Sequence, residues 1–304
     1  MGNWLWYGAA LLLGAVLFIV CGHYPAQLPF WMPWEFHWSE YLATVLILGW
    51  FARGLRLMPK AQRPPAWRQA CFVAGILSFY IVLQTRVDFY AQHMFFVHRW
   101  AHFVLHHAGA FAIAFGTAGP VLYAGMPGFL RPLVAARPVR AALASVQNPV
   151  MAPFLFVGLL YFWLIPQIHT RVMLDANLYQ VMNWTMAING VMFWSLILDP
   201  RPSPPARMGY LMRLLMIIVI ELPQMVLGAI LSLTEHDIYP VYTICGRVLD
   251  MTALNDQHYG GLIIWLPGTL TSFAAFITVL VNLRLHEEKL EREADADRVP
   301  GVMK

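Results

Sequence analysis

Residues 95–119 read FFVHRWAHFVLHHAGAFAIAFGTAG and contain a single charged side chain, Arg99, in twenty-five positions. About 20 mostly apolar residues cross the hydrocarbon core of a bilayer as a helix, so this run predicts a transmembrane helix. Similar runs recur at residues 3–22, 39–57, 69–86, 143–166, 177–198, 211–233 and 258–283. The sequence therefore predicts an all-α polytopic integral membrane helix bundle with seven or eight transmembrane helices. The count depends on residues 39–57, because Arg53 and Arg56 lie near the end of that run.

The composition excludes an ordinary soluble domain. Only 12% of the residues are charged, against about 25% in soluble proteins, which is too few to cover a water-exposed surface. The first 34 residues contain no Asp, Glu, Lys or Arg. Without a basic segment ahead of its apolar run, the N-terminus predicts a retained span rather than a signal peptide. We expect one domain, the bundle of residues 1–285, followed by a charged cytoplasmic tail over residues 286–304.

The basic residues predict how the chain is oriented. If the N-terminus is cytoplasmic and eight helices span the membrane, sixteen of the twenty Lys and Arg residues fall on the cytoplasmic side. Such a bias follows the positive-inside rule, so both termini are predicted to be cytoplasmic. The basic net charge then reflects topology in a lipid bilayer and gives no reason to expect a nucleic-acid partner.

Histidines gather on the opposite, outer side of this predicted topology. Ten of the eleven lie there, and five fall between residues 93 and 107. In an ideal α-helix Met94, His98, His102 and His106 follow one another at i+4 steps along one face, while His107 points away. Imidazoles one turn apart converge on a metal ion, and the thioether favours copper(I). The alternative is that these histidines are packing groups hydrogen-bonded to neighbouring helices.

The C-terminal third contains the most specific motifs. These are Leu222-Pro223, Tyr239-Pro240, Asp256-Gln257, Gly260-Gly261 and the stretch Trp265-Leu266-Pro267-Gly268, preceded by VDFYAQHMFFVHRWAH at residues 87–102. In this order they resemble the CtaG-like polytopic membrane family, the assembly factors of caa-type cytochrome c oxidase. The resemblance covers roughly residues 40–285.

The resemblance implies a non-enzymatic protein of the bacterial inner membrane that binds or delivers copper for the copper–haem centre of the oxidase. Its implied partners are the oxidase subunits and a periplasmic copper donor. His98 and His102 are then the expected primary ligands, with Met94 as an outer receiving position and His106 as a deeper relay. Asp256 and His258 are expected to face them from the last transmembrane helix.

One segment departs from the family pattern. Relatives usually carry further histidines before the Phe-Trp pair, here Phe193-Trp194, whereas this chain has Leu178 and Asn183 at about those places. If those histidines are ligands in the relatives, the site here is either incomplete or rebuilt. The candidates for rebuilding it are Met182, His169 and His258.

Three other functions remain open at this stage. A b-type haem protein would need a histidine on a facing helix at the matching depth. A metal-free assembly scaffold would bind oxidase subunits and need no ligand. A transporter is conceivable because Glu221 and Pro223 lie within one predicted span, although no inverted repeat is visible. We expect no enzyme, because the sequence contains no nucleophile–base pair, phosphate loop or dinucleotide motif.

Overall fold

The computed structural model describes residues 2–298, which contain helices and no strand. In chain order the α-helices are α1 Gly2–His23, α2 Trp38–Leu57, α3 Ala66–Gln84, α4 Arg86–His93, α5 Phe95–Phe103, α6 Gly109–Phe115, α7 Gly119–Gly125, α8 Arg131–Ala135, α9 Arg137–Val146, α10 Met151–Leu164, α11 Pro166–Met173, α12 Ala176–Ile197, α13 Tyr210–Leu233, α14 Val241–Cys245 and α15 Ala253–Arg298. The all-α prediction is therefore confirmed.

Fewer helices than predicted are long and apolar enough to cross a membrane. Within residues 2–298 these are Leu5–His23, Ala66–Gln84, Tyr210–Leu233 and Ala253–Asp295. Two bent pairs, α5–α6 with α7 and α9 with α10, raise the number to six if each pair forms one span. The chain is thus a helical membrane protein with four to six candidate spans, and the count of seven or eight is not confirmed. Polar residues, such as the two arginines of α2 and the four amide side chains of α12, lower the hydropathy of the other predicted spans.

The helix predicted over residues 95–119 is not a single α-helix. It consists of α5, one π-helical turn over Val104–Ala108, and α6, and the chain then bends by 76° into α7. Thr117 lies in the left-handed backbone region, with φ of 48°, which ends the helix. The π turn inserts one extra residue into the helical repeat, and this changes which side chains face inward.

The two longest helices, α13 and α15, pack along each other at very short range. A Cβ atom on Gly261 would lie 2.5 Å from Ser232 Oγ and 2.8 Å from the backbone oxygen of Gly228. Glycine at both positions lets the two backbones approach, which is how helices associate in membranes. The α13–α15 pair forms the frame against which α5 packs.

The predicted tail begins inside α15, which continues as one helix to Arg298, while residues 299–304 lie outside the described range. Exposed i,i+4 ion pairs, Arg284 with Glu288 and Lys289 with Glu293, stabilise this extension. The cytoplasmic location of the tail remains a prediction.

Candidate metal centre

Helix α5 is held at its N-terminus by Asp256 of α15. The carboxylate accepts hydrogen bonds from the backbone N–H groups of Phe95 (3.0 Å) and Phe96 (2.9 Å), and it forms an ion pair with Arg247 at 3.1 Å. The first N–H groups of a helix have no partner within the helix and attract negative charge. Asp256 is fully buried, and its two hydrogen bonds fix the start of α5. They therefore also fix the position of His98, one turn further along.

His98 is the least satisfied polar residue in this region. It is fully buried, and neither ring nitrogen makes a hydrogen bond of good geometry among the described residues; the backbone of Ala91 is its one weak polar neighbour. Its ring centroid lies 4.4 Å from that of His102 and 5.2 Å from that of His169. Buried polar atoms in folded proteins nearly always have a partner. An imidazole with two free nitrogens is therefore a group available to a ligand.

His102 is oriented by α12. Its Nε2 lies 3.1 Å from Oδ1 of Asn183, and its Nδ1 is buried without a partner. Because an amide oxygen only accepts, the ring proton is on Nε2 and the lone pair is on Nδ1. A hydrogen bond on the distal nitrogen is how metal-binding imidazoles are commonly oriented. His98 and His102 thus present free nitrogen donors one helical turn apart.

The π turn brings both of the next two histidines inward. Nε2 of His106 lies 3.1 Å from Oδ1 of Asn189, and Nε2 of His107 lies 2.8 Å from Oε1 of Gln224. Both rings are buried and border one cavity of about 20 Å³. His107 was expected to point away from the others. It does not, because the wider turn at residues 104–108 departs from the 100° per residue of an α-helix.

His169 of α11 completes the imidazole group but already has two partners. Its Nδ1 lies 3.0 Å from the backbone oxygen of Trp163, and its Nε2 accepts a hydrogen bond from the hydroxyl of Tyr242 at 2.9 Å. Burial, reinforced by the positive charge of Arg99, lowers the pKa of His169 to about 3. The ring is therefore neutral, and a metal would have to displace the Tyr242 hydroxyl to bind it.

Three predicted site residues lie elsewhere. Met94 is buried but sits in extended backbone between α4 and α5, so it is not on the helix that carries the histidines. Asp256 caps that helix, and the Nε2 atom of His258 lies 2.9 Å from the backbone oxygen of Thr234 at the end of α13. The structure brings His98 and His102 together, with His106 one turn deeper.

The amides that orient the imidazoles were not identified from the sequence. Asn183 and Asn189 lie on α12 and Gln224 on α13, and all three are buried. Polar amides inside apolar helices were the available signal, since such groups need partners in the membrane.

The three residues that could replace the missing histidines of the family pattern differ in how close they lie to His98. His169 and Met182 lie in the buried core around His98, whereas His258 does not.

The donor set fits a small metal ion and does not fit a porphyrin. Histidines at i and i+4 can both reach one ion. The cavity bordered by His102, His106 and His107, about 20 Å³, has room for roughly one water molecule or ion, whereas organic ligands occupy pockets of about 300 Å³ or more. The geometry therefore favours the metal hypothesis over the b-type haem hypothesis.

A second group of possible ligands lies where α4 meets the loop before α2. One ligand atom each of Glu35, His37 and Asp88 lie within 4.8 Å of one another. Asp88 is buried and accepts hydrogen bonds from Tyr179 (2.8 Å) and Gln92 (2.8 Å). The Tyr179 ring in turn lies 5.9 Å from the His98 ring, so this group is one side chain away from the histidines.

Asp88 makes the stability of the fold depend on pH. The pKa of Asp88 is raised to about 7, mainly by burial. Hydrogen bonds from Tyr179 and Gln92 oppose the rise, and the carboxylates of Glu35 and Glu40 add to it. In the unfolded chain the pKa is 3.8. The folded state therefore binds the extra proton between pH 4 and 7, and stability falls as the pH rises through that window.

We expect Asp88→Asn to remove this slope. Ionising Asp88 in the fold costs on the order of 2–4 kcal/mol, since a tenfold change in proton affinity is about 1.4 kcal/mol. The wild-type melting temperature should drop by several degrees from pH 5 to pH 8, and that of Asp88→Asn should drop much less. The measurement is thermal unfolding of detergent-purified protein at both pH values. The control is Glu40→Gln, which removes a carboxylate that contributes less than burial to the raised pKa of Asp88 and should keep most of the slope.

Comparison with known proteins is consistent with this geometry. The family model of the cytochrome c oxidase caa3 assembly factor (Caa3_CtaG) matches residues 49–285. No curated protein and no solved structure matches the chain. The family match includes the four buried histidines of α5 and the π turn, their amide partners and the capping Asp256, and it covers more than three quarters of the sequence. The chain belongs to the family of cytochrome c oxidase caa3 assembly factors.

Proposed function

We propose that this protein holds a copper(I) ion as cargo between His98 and His102 while the copper–haem centre of the oxidase is assembled. The observation that carries the proposal is the fully buried His98 ring, whose two nitrogens have no partner and which lies 4.4 Å from the His102 ring. Imidazole nitrogen is a suitable ligand for copper. The role requires no catalytic step.

The charge of the site favours a monovalent ion. Arg99 is buried next to His98 and has no acidic partner among the described residues. Two positive unit charges about 6 Å apart in a medium of effective dielectric constant 20 repel each other by about 3 kcal/mol, and a doubly charged ion is repelled twice as strongly. Copper(I) therefore suits this position better than copper(II) or zinc. The same repulsion weakens retention, which suits a protein that must release its cargo.

His106 is proposed as the deeper relay, as its Nδ1 is buried without a partner one turn from His102. The outer group around Asp88 is proposed as the place where a periplasmic copper donor delivers the ion, since Tyr179 links it to His98. The other partners are the oxidase subunits and the surrounding lipid of the bacterial inner membrane.

The test is the amount of copper per chain after loading purified protein with copper(I). We expect about one ion per chain in the wild type and a large loss in His98→Gln/His102→Gln, because both free donors are removed. Mass spectrometry of the metal content measures this, and a visible spectrum of the same sample checks for haem. The matched control is His258→Gln, whose ring is engaged with Thr234 and which should retain copper. A haem absorption band, or equal copper in wild type and double variant, would refute the proposal.

A further inference from the structure

A cavity of about 680 Å³ opens between the start of α3, the turn before α7 and the loop that follows α12. In the predicted topology this is the cytoplasmic end of the bundle. Three arginines, Arg63, Arg68 and Arg201, line the cavity together with one carboxylate, Asp199. Arg201 and Asp199 form an ion pair at 2.7 Å, so their charges cancel. The net positive charge of the cavity therefore comes from Arg63 and Arg68.

Both of these guanidinium groups are held at the cavity wall. Nη1 of Arg68 donates to Oγ1 of Thr117 at 3.1 Å, and Nε of Arg63 donates to the backbone oxygen of Met58 at 2.9 Å. Thr117 and Met58 themselves line the cavity. Both arginines are half-buried, and neither pairs with a carboxylate in the part of the chain that the structure describes. A guanidinium has five N–H donors, so each arginine retains donors for an anionic group.

A second cavity, of about 290 Å³, adjoins the first, and its accessible wall is almost entirely apolar. Phe72, Ile113, Leu122 and Val191 line both cavities. From Phe72 the second cavity follows α3 as far as Leu83, a distance of about 17 Å at 1.5 Å per residue. One leaflet contributes about 15 Å of the hydrocarbon core of a bilayer. The apolar cavity therefore has about the length of one lipid acyl chain.

The carboxyl group in the wall of the apolar cavity, that of Glu40, is already satisfied by the protein. Its Oε1 accepts from Nε1 of Trp184 at 3.1 Å, and its Oε2 accepts from the hydroxyl of Ser39 at 2.6 Å. Apolar cavities of about 150 Å³ stay dry and take apolar ligands, and larger voids are rare in close-packed interiors. We therefore expect an apolar group from outside the chain to fill this cavity.

We propose that the two cavities together bind one molecule of an anionic phospholipid. Its phosphate accepts hydrogen bonds from Arg63 and Arg68, and one acyl chain fills the apolar cavity. Basic pockets between helices at the cytoplasmic surface bind anionic head groups. A soluble anion would leave the apolar cavity unfilled, and the cationic group of a zwitterionic lipid would oppose the two arginines. This lipid site is independent of copper binding at the histidines.

The experiment is native mass spectrometry of the full chain, purified in detergent with equal amounts of phosphatidylglycerol and phosphatidylcholine that carry identical acyl chains. Each arginine near an anionic head group contributes about fivefold in affinity. We therefore expect the wild type to retain one phosphatidylglycerol per chain, with a preference of roughly tenfold or more over phosphatidylcholine. Arg63→Gln/Arg68→Gln should lose most of this preference.

The matched control is Arg137→Gln/Arg140→Gln. These two arginines are exposed on the same predicted face of the membrane and do not line the cavity, so the preference should be kept. Equal retention of the two lipids by the wild type, or an unchanged preference in Arg63→Gln/Arg68→Gln, would overturn the proposal. Inorganic phosphate at equal ionic strength should not displace the lipid. Displacement by phosphate would show that the apolar cavity contributes nothing to binding, and it would overturn the proposal as well.

Photo-crosslinking of the wild type gives an answer even if the double variant does not fold. The probe is phosphatidylglycerol with a diazirine near the end of one acyl chain, and mass spectrometry of peptides locates the adducts. We expect adducts on residues in the wall of the apolar cavity, such as Thr44 and Ile76. Adducts confined to outward-facing residues, such as Leu12, which is 69% exposed, would show that the chain stays in the surrounding lipid and would contradict the proposed site.

Discussion

His98→Gln/His102→Gln is expected to lower caa3 oxidase activity in cells about tenfold or more. Loss of a group that supports a metal typically costs 10- to 100-fold in affinity or activity. This variant loses both free imidazoles of the site together. Glutamine keeps the size and polarity of the side chains, so the helix bundle should persist. The measurement is oxidase activity in membranes, normalised to the amount of this protein.

The same variant separates the copper role from the scaffold role. A metal-free scaffold would retain normal oxidase activity, since neither His98 nor His102 would contact a subunit from its buried position. Excess copper in the medium should restore activity in part if the defect is delivery, because mass action raises occupancy of a weakened or bypassed site. His258→Gln is the control and should behave as wild type. Unchanged activity in the double variant would leave the scaffold hypothesis as the better one.

Asp256→Ala is expected to cause the largest loss of stability of any single substitution near the site. The change leaves the N–H groups of Phe95 and Phe96 without an acceptor and Arg247 without its partner at 3.1 Å. Breaking a buried ion pair costs about 3–5 kcal/mol, and losing a helix cap adds about 1 kcal/mol. We expect the melting temperature to fall by roughly 10 °C. Thermal unfolding in detergent measures this.

A nearby carboxylate provides the matched control. Asp237 approaches the same Arg247 at 4.0 Å but is 25% exposed, so Asp237→Ala should cost no more than about 1 kcal/mol. Asp256→Asn should lie between the two, since its remaining oxygen still caps one N–H group. Copper binding by Asp256→Ala should also fall, although every histidine is present. Equal melting temperatures for Asp256→Ala and Asp237→Ala would refute this role of Asp256.

Much of the helical framework could be predicted from the sequence. The predicted spans at 3–22, 69–86 and 211–233 differ from α1, α3 and α13 by a few residues. Apolar runs of that length have few alternatives to a helix, since every backbone polar group needs a partner in lipid. The number of spans was less predictable. A bent helix is too short to cross the membrane as one straight segment, and a polar helix is not apolar enough to be recognised as a span. The bends after α6 and α9 depend on a few local residues.

The arrangement of the candidate site was only partly predictable. The i+4 spacing correctly placed His98 and His102 side by side, because that stretch is a regular α-helix. The i+4 spacing gave the wrong direction for His107, because a π turn follows α5. It also placed Met94 on the same helical face as the histidines, although Met94 precedes α5. Asp256 was expected to face the histidines from the last helix as part of the metal site, whereas its carboxylate accepts hydrogen bonds from the backbone N–H groups at the start of α5.

The sequence by itself determined that the chain is a helical membrane protein, that its histidines gather on one helix, and that its motifs are those of the caa3 assembly factors. These properties depend on composition and on spacing within single helices. Only the tertiary structure decided which imidazole nitrogens are free. Asn183, Asn189, Gln224 and Asp256 act from helices 80 to 160 residues away along the chain. Such partners are set by helix packing, and no local spacing encodes them.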